Sequence, residues 1–184
     1  MSRYILSNLV WIRGVYQAGR GVREMYSIGD KIVHPMHGAG IVDEIREDRI
    51  NGVTRTYYIM RLPYGGMTVM IPTATAENIG VRDIITSDQA EELLRNMCGI
   101  QVEMTTNWNK RYRENMLKIK SGDLMEVAEV IKGLMARDAE KGLSTGERKM
   151  LHSAKQILVS ELVLAQGLEY AEVEKTVDSI LGEC

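Results

Sequence analysis

Val81-Arg82-Asp83-Ile84-Ile85-Thr86-Ser87-Asp88-Gln89-Ala90-Glu91-Glu92-Leu93-Leu94-Arg95-Asn96-Met97 is the stretch in which the chain changes its period. Before Thr86, short apolar or alternating runs are cut by turn residues, as β-strands require. After it, apolar residues recur at helical spacing, so Asp88–Met97 reads as a short helix that Gly99 ends. One boundary thus divides a β half from a helical half.

Working back from it, Ile79–Ile85 reads as a short fifth strand and Met67–Ile71 as a fourth, stopped by Pro72. Val53–Leu62 alternates around Tyr57, Tyr58, Ile59 and Met60, and Asn51-Gly52 before it is a strong hairpin signal. Ile41–Glu47 and Ile28–His34 complete the set, with Gly38-Ala39-Gly40 expected as the turn between them. Five short strands with tight turns predict a small, strongly bent barrel.

Working forward, Ser121-Gly122-Asp123 separates two helices, and Asp123 with Glu126 has capping-box spacing. The helix that follows runs to about Lys141, where Gly142 supplies the stop. Ser144 with Glu147 repeats the spacing and opens a long helix to Gln166, striped by Met150, Leu151, Ala154, Ile157, Leu158 and Leu162. A last helix carries Val173, Val177, Ile180 and Leu181 on one face. The expected fold class is α+β by domains: residues 25–86 a small β-barrel, residues 87–184 an all-helical domain of four to five helices.

Residues 1–24 are set apart as an upstream extension. Met25 reads as a fresh start, and Gly19–Glu24 can be encoded by purine-rich codons like those of a ribosome-binding site. No apolar run approaches the roughly 18 residues needed to span a bilayer, and a cytoplasmic protein is expected. Cys98 and Cys184 lie far apart and outside any C-x-x-C pair, so both are expected to be reduced thiols.

The net charge of −2 excludes a generic polycation that coats nucleic acid. The charge is uneven, however: residues 1–24, 25–102, 103–160 and 161–184 carry nets of +3, −3, +3 and −5. The cationic part of the helical half centres on Thr106-Asn107-Trp108-Asn109-Lys110-Arg111-Tyr112-Arg113-Glu114-Asn115. A helix opening here would hold Trp108 in its first turn, with Lys110, Arg111 and Arg113 around it. Cations on phosphates and an apolar wedge at a base step suit that layout. The competing reading is an indole in the core and a solvated cationic face.

Other chemistry finds little support. His34-Pro35-Met36-His37 supplies two imidazoles, too few for a metal centre, and Pro35 with Gly38 fits a turn. No G-x-x-x-x-G-K, G-x-S-x-G or H-E-x-x-H motif occurs. No enzyme activity, cofactor, metal or small-molecule substrate is expected. Met67-Thr68-Val69-Met70-Ile71-Pro72 reads either as a two-sided core strand or as an edge with adaptable methionines that accepts a partner's strand.

Residues 25–165 resemble the CarD/CdnL family of bacterial transcription regulators, and the β half is also similar to the polymerase-interaction domain of transcription-repair coupling factor. The resemblance rests on Gly29-Asp30-Lys31-Ile32-Val33-His34-Pro35, His37-Gly38-Ala39-Gly40, Thr68-Val69-Met70-Ile71-Pro72 and Val81-Arg82. It continues through Asn107-Trp108, Ser121-Gly122-Asp123, Val127-Ala128-Glu129-Val130 and Gly142-Leu143-Ser144 to Leu151.

The resemblance implies a Tudor-like (SH3-like) barrel docked on the β subunit of RNA polymerase through Met67, Thr68, Val69, Met70, Ile71 and Pro72. It also implies a helical domain that touches promoter DNA at the upstream edge of the melted bubble. Trp108 would be the wedge, with Lys110, Arg113, Arg137 and Arg148 facing DNA; Asn107, Arg111 and Lys149 are grouped with them. Some members carry arginine where this chain has Met70 and Asp48, and Arg46 and Arg49 stand near the second position as substitutes. The expected function is to stabilise the promoter open complex, in the cytoplasm and at the nucleoid through polymerase. The alternative is an adaptor whose helical domain binds another protein.

Overall fold

The structure, a computed structural model, describes residues 26–50 and 52–183. The proposed start at Met25, the extension 1–24, Asn51 and Cys184 lie outside the described residues.

Strands β1 (Lys31–His34), β2 (Gly38–Ile50), β3 (Val53–Arg61), β4 (Thr68–Pro72) and β5 (Arg82–Asp83) form one antiparallel sheet in the order β4-β3-β2-β1-β5. The β2–β3 register shifts between Val42 and Glu44. A bulge of this kind bends the strand and raises its twist, which lets a five-stranded sheet fold over a small core. Ile32, Val42, Tyr58, Met60, Leu62, Ile71, Ala76 and Val81 fill that core.

Five helices follow the sheet: α2 (Ser87–Met97), α3 (Trp108–Ser121), α4 (Leu124–Lys141), α5 (Thr145–Gln166) and α6 (Tyr170–Glu183). A single helical turn, α1 (Ala76–Ile79), precedes β5. The caps account for most of the boundaries. Thr86 and Gln89 form a capping box at α2, Asp123 accepts the Met125 and Glu126 amides at α4, and Ser144 and Glu147 form a second box at α5. Each satisfies amide donors that the first helical turn leaves open.

Helix α5 is the spine. Every residue from Ile157 to Leu164 is buried, a circumference rather than a stripe. A helix is buried all round only where it is packed on all sides: α2, α4 and α6 lie against α5, and so does β2. The two polar residues within that run are both satisfied. Ser160 Oγ accepts the Ala39 amide at 2.9 Å, and the Glu161 carboxylate takes Arg82 Nη1 at 2.6 Å, Arg82 Nη2 at 3.0 Å and the Ile85 amide at 3.0 Å.

Three local expectations are corrected. Gly38-Ala39-Gly40 is not a turn but the start of β2; the turn is Pro35–His37. These glycines serve close approach. A Cβ on Gly38 would stand 2.3 Å from Ser160 Oγ, and one on Gly40 would stand 2.6 Å from the Arg61 carbonyl oxygen. Ile79–Ile85 is not a continuous strand, because α1 ends at Gly80 and only Arg82–Asp83 pairs with β1. Cys98 is disulfide-bonded rather than a reduced thiol.

Gly40→Ala is therefore expected to cost about 1–3 kcal/mol through overpacking against the β3 backbone. Thermal unfolding should show Tm lower by several degrees; an unchanged Tm would show that β2 and β3 separate freely at this point.

Candidate nucleic-acid interface

The N-termini of α3 and α5 meet. Asn107 caps α3, its Oδ1 accepting the Lys110 amide at 3.0 Å, and Trp108 is the first helical residue. The indole Nε1 of Trp108 donates to Oγ of Ser144, the α5 cap, at 3.1 Å. The indole also stacks on Tyr112, with ring centroids 5.3 Å apart and planes at 26°. A Cβ added to Gly146 would lie 3.7 Å from Trp108 and 3.8 Å from Tyr112, so the first turn of α5 abuts the aromatic pair. Held on one edge and one face, Trp108 still leaves 43% of its surface open. Two helix N-termini also bring their partial positive charges to one place, which favours an anion there.

The two helices are tied beneath the indole by an ion pair. Arg111, 2% exposed, donates Nη2 and Nε to Glu147 Oε1 at 2.6 and 3.0 Å, and its Nη1 to the carbonyls of Thr105 and Thr106 at 2.8 and 3.2 Å. Glu147 Oε2 accepts the Ser144 amide at 3.0 Å and the Ser144 hydroxyl at 2.8 Å. Burial pushes the Glu147 carboxyl up, but the hydrogen bonds from Arg111 and Ser144 outweigh it and hold the group below its ordinary value. Arg111 therefore cannot face phosphate: its guanidinium is spent inside the protein, and its placement among the DNA contacts is corrected.

The remaining cations divide. Arg113, Arg148 and Lys149 are exposed; Arg113 Nε and Arg148 Nε donate only to the carbonyls of Asn109 and Leu143, at 3.3 and 3.2 Å. Lys110 is exposed and lies 3.7 Å from Glu114, a surface pair that binds weakly. Arg137 reaches in from α4 toward the same Glu147 oxygen that Arg111 holds. Its side chain is 29% exposed, and Nε sits 3.4 Å from Glu147 Oε1 without the alignment of a hydrogen bond. Asn107 commits its oxygen to the helix cap, and its amide nitrogen is the donor it can turn to a ligand. Tyr112, Ser144 and Glu147 are parts of the site that sequence reasoning did not assign to it. Tyr112 was signalled by its spacing of four from Trp108, and the other two by their capping box.

On the other half, β4 is a sheet edge, paired only with β3 among the described residues. The Leu62 amide donates to the Met67 carbonyl at 2.9 Å, so Met67, Val69 and Ile71 direct their backbone groups at β3. By alternation Thr68 and Met70 direct theirs outward. Met67 and Met70 are 51% and 49% exposed. Val69 and Pro72 are half-buried, whereas Ile71 is buried in the barrel core, so its side chain is corrected from contact residue to core residue. Arg46 is held by Glu44 through two bonds of 3.0 and 2.7 Å, while Arg49 is exposed with no ion pair to any described residue.

Breaking a buried ion pair from one side strands the other charge and costs about 3–5 kcal/mol, so Arg111→Ala is expected to lower stability by that order. Glu147 has a lowered folded pKa, so its contribution is present above the ordinary value of 4.5 and is lost as pH falls through the folded value. Thermal melts from pH 7 to pH 3 should show the parent losing this increment in acid and Arg111→Ala losing less of it. A melt indistinguishable from the parent at pH 7 would place Arg111 on the surface.

The family model for the CarD-like/TRCF RID domain matches residues 26–85, and that for the CarD C-terminal domain matches residues 85–178. The chain is 35% identical over 150 residues to a Bacillus subtilis (strain 168) protein named "Putative transcription factor YdeB", a match that spans 82% of this chain and 98% of that protein. A five-stranded antiparallel domain leading into five helices, matched from residue 26 to residue 178 by these two domains in this order, places the chain in the CarD family of RNA polymerase-binding transcription regulators.

Proposed function

We propose that the chain docks on the RNA polymerase β subunit through the open edge of β4, and that it stabilises the promoter open complex by setting Trp108 against DNA at the upstream edge of the bubble. In this reading residues 25–86 are the docking unit and residues 87–184 the DNA-contacting unit, and the protein works in the cytoplasm wherever polymerase carries it on the nucleoid. The observation that carries the reading is the half-open indole of Trp108. It stands at two converging helix N-termini, with Lys110 and Arg113 on α3 and Arg148 and Lys149 in the opening turns of α5.

The physics suits a tethered contact. The four exposed cations named around Trp108, on a chain of net charge −2, give weak, salt-sensitive affinity for DNA. Docking on polymerase makes the encounter intramolecular, where effective concentrations of about millimolar make modest contacts sufficient. An indole that engages distorted DNA better than closed duplex shifts the balance toward the open state, because only differential affinity moves an equilibrium. Stacking of roughly 1–3 kcal/mol corresponds to a shift of about 5- to 150-fold. The protein performs no chemistry of its own.

Trp108→Ala should retain its fold and its affinity for polymerase while shortening the open-complex lifetime within that range. Lys110→Ala, Arg113→Ala, Arg148→Ala and Lys149→Ala should each lower the salt slope of DNA association by about one unit. Promoter-complex decay and salt titrations measure both. A folded Trp108→Ala protein with unaltered decay would leave the helical domain to a protein partner instead.

Docking by strand addition needs the outward amide of Met70. Met70→Pro removes that donor and leaves the bonds of Val69 and Ile71 to β3 in place, so binding to the β subunit should fall at least tenfold while thermal stability changes little. Full-strength binding by this variant would move the docking surface off β4.

A further inference from the structure

The docking edge and the indole sit on different halves of the molecule, yet one helix touches both. The N-terminal turn of α5 holds Trp108 through Ser144 and Arg111 through Glu147. Its C-terminal half holds the β domain: the Ala39 amide on Ser160, Arg82 and the Ile85 amide on Glu161, and Lys31 Nζ on the Leu164 carbonyl at 2.8 Å. Val33 and Ala39 pack on Leu164 in a small cluster of their own. From Ser144 to Ser160 is sixteen residues, a rod of about 24 Å at the rise of an α-helix.

The middle of this junction is unusual. Glu161 is fully buried, and its two oxygens are divided between one guanidinium and one backbone amide. The same guanidinium reaches the Gly122 carbonyl at 3.2 Å, in the turn between α3 and α4. Arg82 thus joins β5, the end of the helix that carries Trp108, and α5. A second contact lies at the far side, where Tyr64 of the β3–β4 hairpin stacks on Tyr170 of α6, with ring centroids 4.3 Å apart.

We propose that Glu161 is a positioning residue: with Arg82 it fixes the β domain on α5 and thereby sets where Trp108 stands when β4 is docked. The proposal rests on the reading of Trp108 as the DNA-facing group. A tether raises effective concentration only where its geometry allows both contacts at once, and a rigid junction supplies that geometry without loss of orientational freedom on binding. Hence a variant that loosens the junction should keep each binding activity and lose their coupling.

The test uses the full chain. Glu161→Gln keeps the shape of the side chain and removes its charge, and Lys31→Ala is a gentler variant at an exposed position of the same junction. Spin labels carried on unnatural side chains at Arg55 and Glu140, both exposed, report the distance between the halves. The expected result is a single narrow distance in the parent, broadened in Glu161→Gln and broadened less in Lys31→Ala. Polymerase affinity and DNA salt slope should be unchanged. The part of the open-complex lifetime that depends on Trp108 should be lost, so that adding Trp108→Ala to Glu161→Gln shortens the lifetime no further. An unchanged distance in both variants overturns the proposal, as does a broadened distance with the Trp108-dependent lifetime intact. If Trp108→Ala in the parent leaves the lifetime unaltered, the DNA-wedge reading falls, and the label distances still decide whether Glu161 holds the junction.

Discussion

A helix buried around its whole circumference admits no water to its polar groups, and this constraint on residues 157–164 of α5 organises the rest of the molecule. An unpaired carboxylate there would cost several kcal/mol, so Glu161 requires Arg82 and the Ile85 amide. Those partners sit in β5 and at the entrance to α2, which obliges the last strand of the sheet to lie on the helix. Ser160 imposes the same requirement on Ala39, and it leaves no room for a side chain at Gly38, whose φ of +86° favours glycine as well. The junction between the halves is thus specified by polar groups that must be satisfied and by glycines that let the backbones approach. Apolar packing supplies the attraction, but it could be met in several registers; the hydrogen bonds select one.

The same logic recurs at the other end of α5. Glu147 closes a capping box, and its second oxygen meets a guanidinium arriving from α3. One carboxylate therefore caps the start of α5, anchors a neighbouring helix and fixes the loop carbonyls of Thr105 and Thr106 through Arg111. The exposed indole is the visible part of this arrangement. Its precision comes from the layer beneath it, in which a cation that looks available in the sequence is fully committed.

The change of period at Thr86, the capping pairs and the long stripe from Met150 to Leu162 are local patterns, and they were legible because helix caps and hydrophobic periodicity act within a few residues. The sequence left Met67–Pro72 open between a core strand and an edge, and Trp108 open between core and surface; the exposure of Met70 and the half-exposure of Trp108 are set by packing that no local pattern records. Gly38-Ala39-Gly40 misled because a glycine that turns the chain and a glycine that admits a helix look alike; the helix in question is more than 100 residues away, with |i−j| of 121 between Ala39 and Ser160. Arg111 misled for a similar reason. It stands among exposed cations, and its partner Glu147 is 36 residues on. Ile71 faces the core because a bent sheet buries one side of an edge strand even where its backbone remains open.

That open backbone carries a further consequence for behaviour at high concentration. An unshielded edge strand is ordinarily a template for aggregation, since any extended chain can add to it and present a fresh edge in turn. Here the edge is short. Thr68 and Met70 face outward, and the next outward position is Pro72, which has no N–H to give. Beyond Pro72 the chain leaves the sheet for a helical turn at Thr73–Thr75. An added strand therefore finds its backbone donors at only two positions of this edge, Thr68 and Met70, which keeps any ladder on it short. The proline that closes β4 thus limits the ladder that a second copy of the chain could build along this edge.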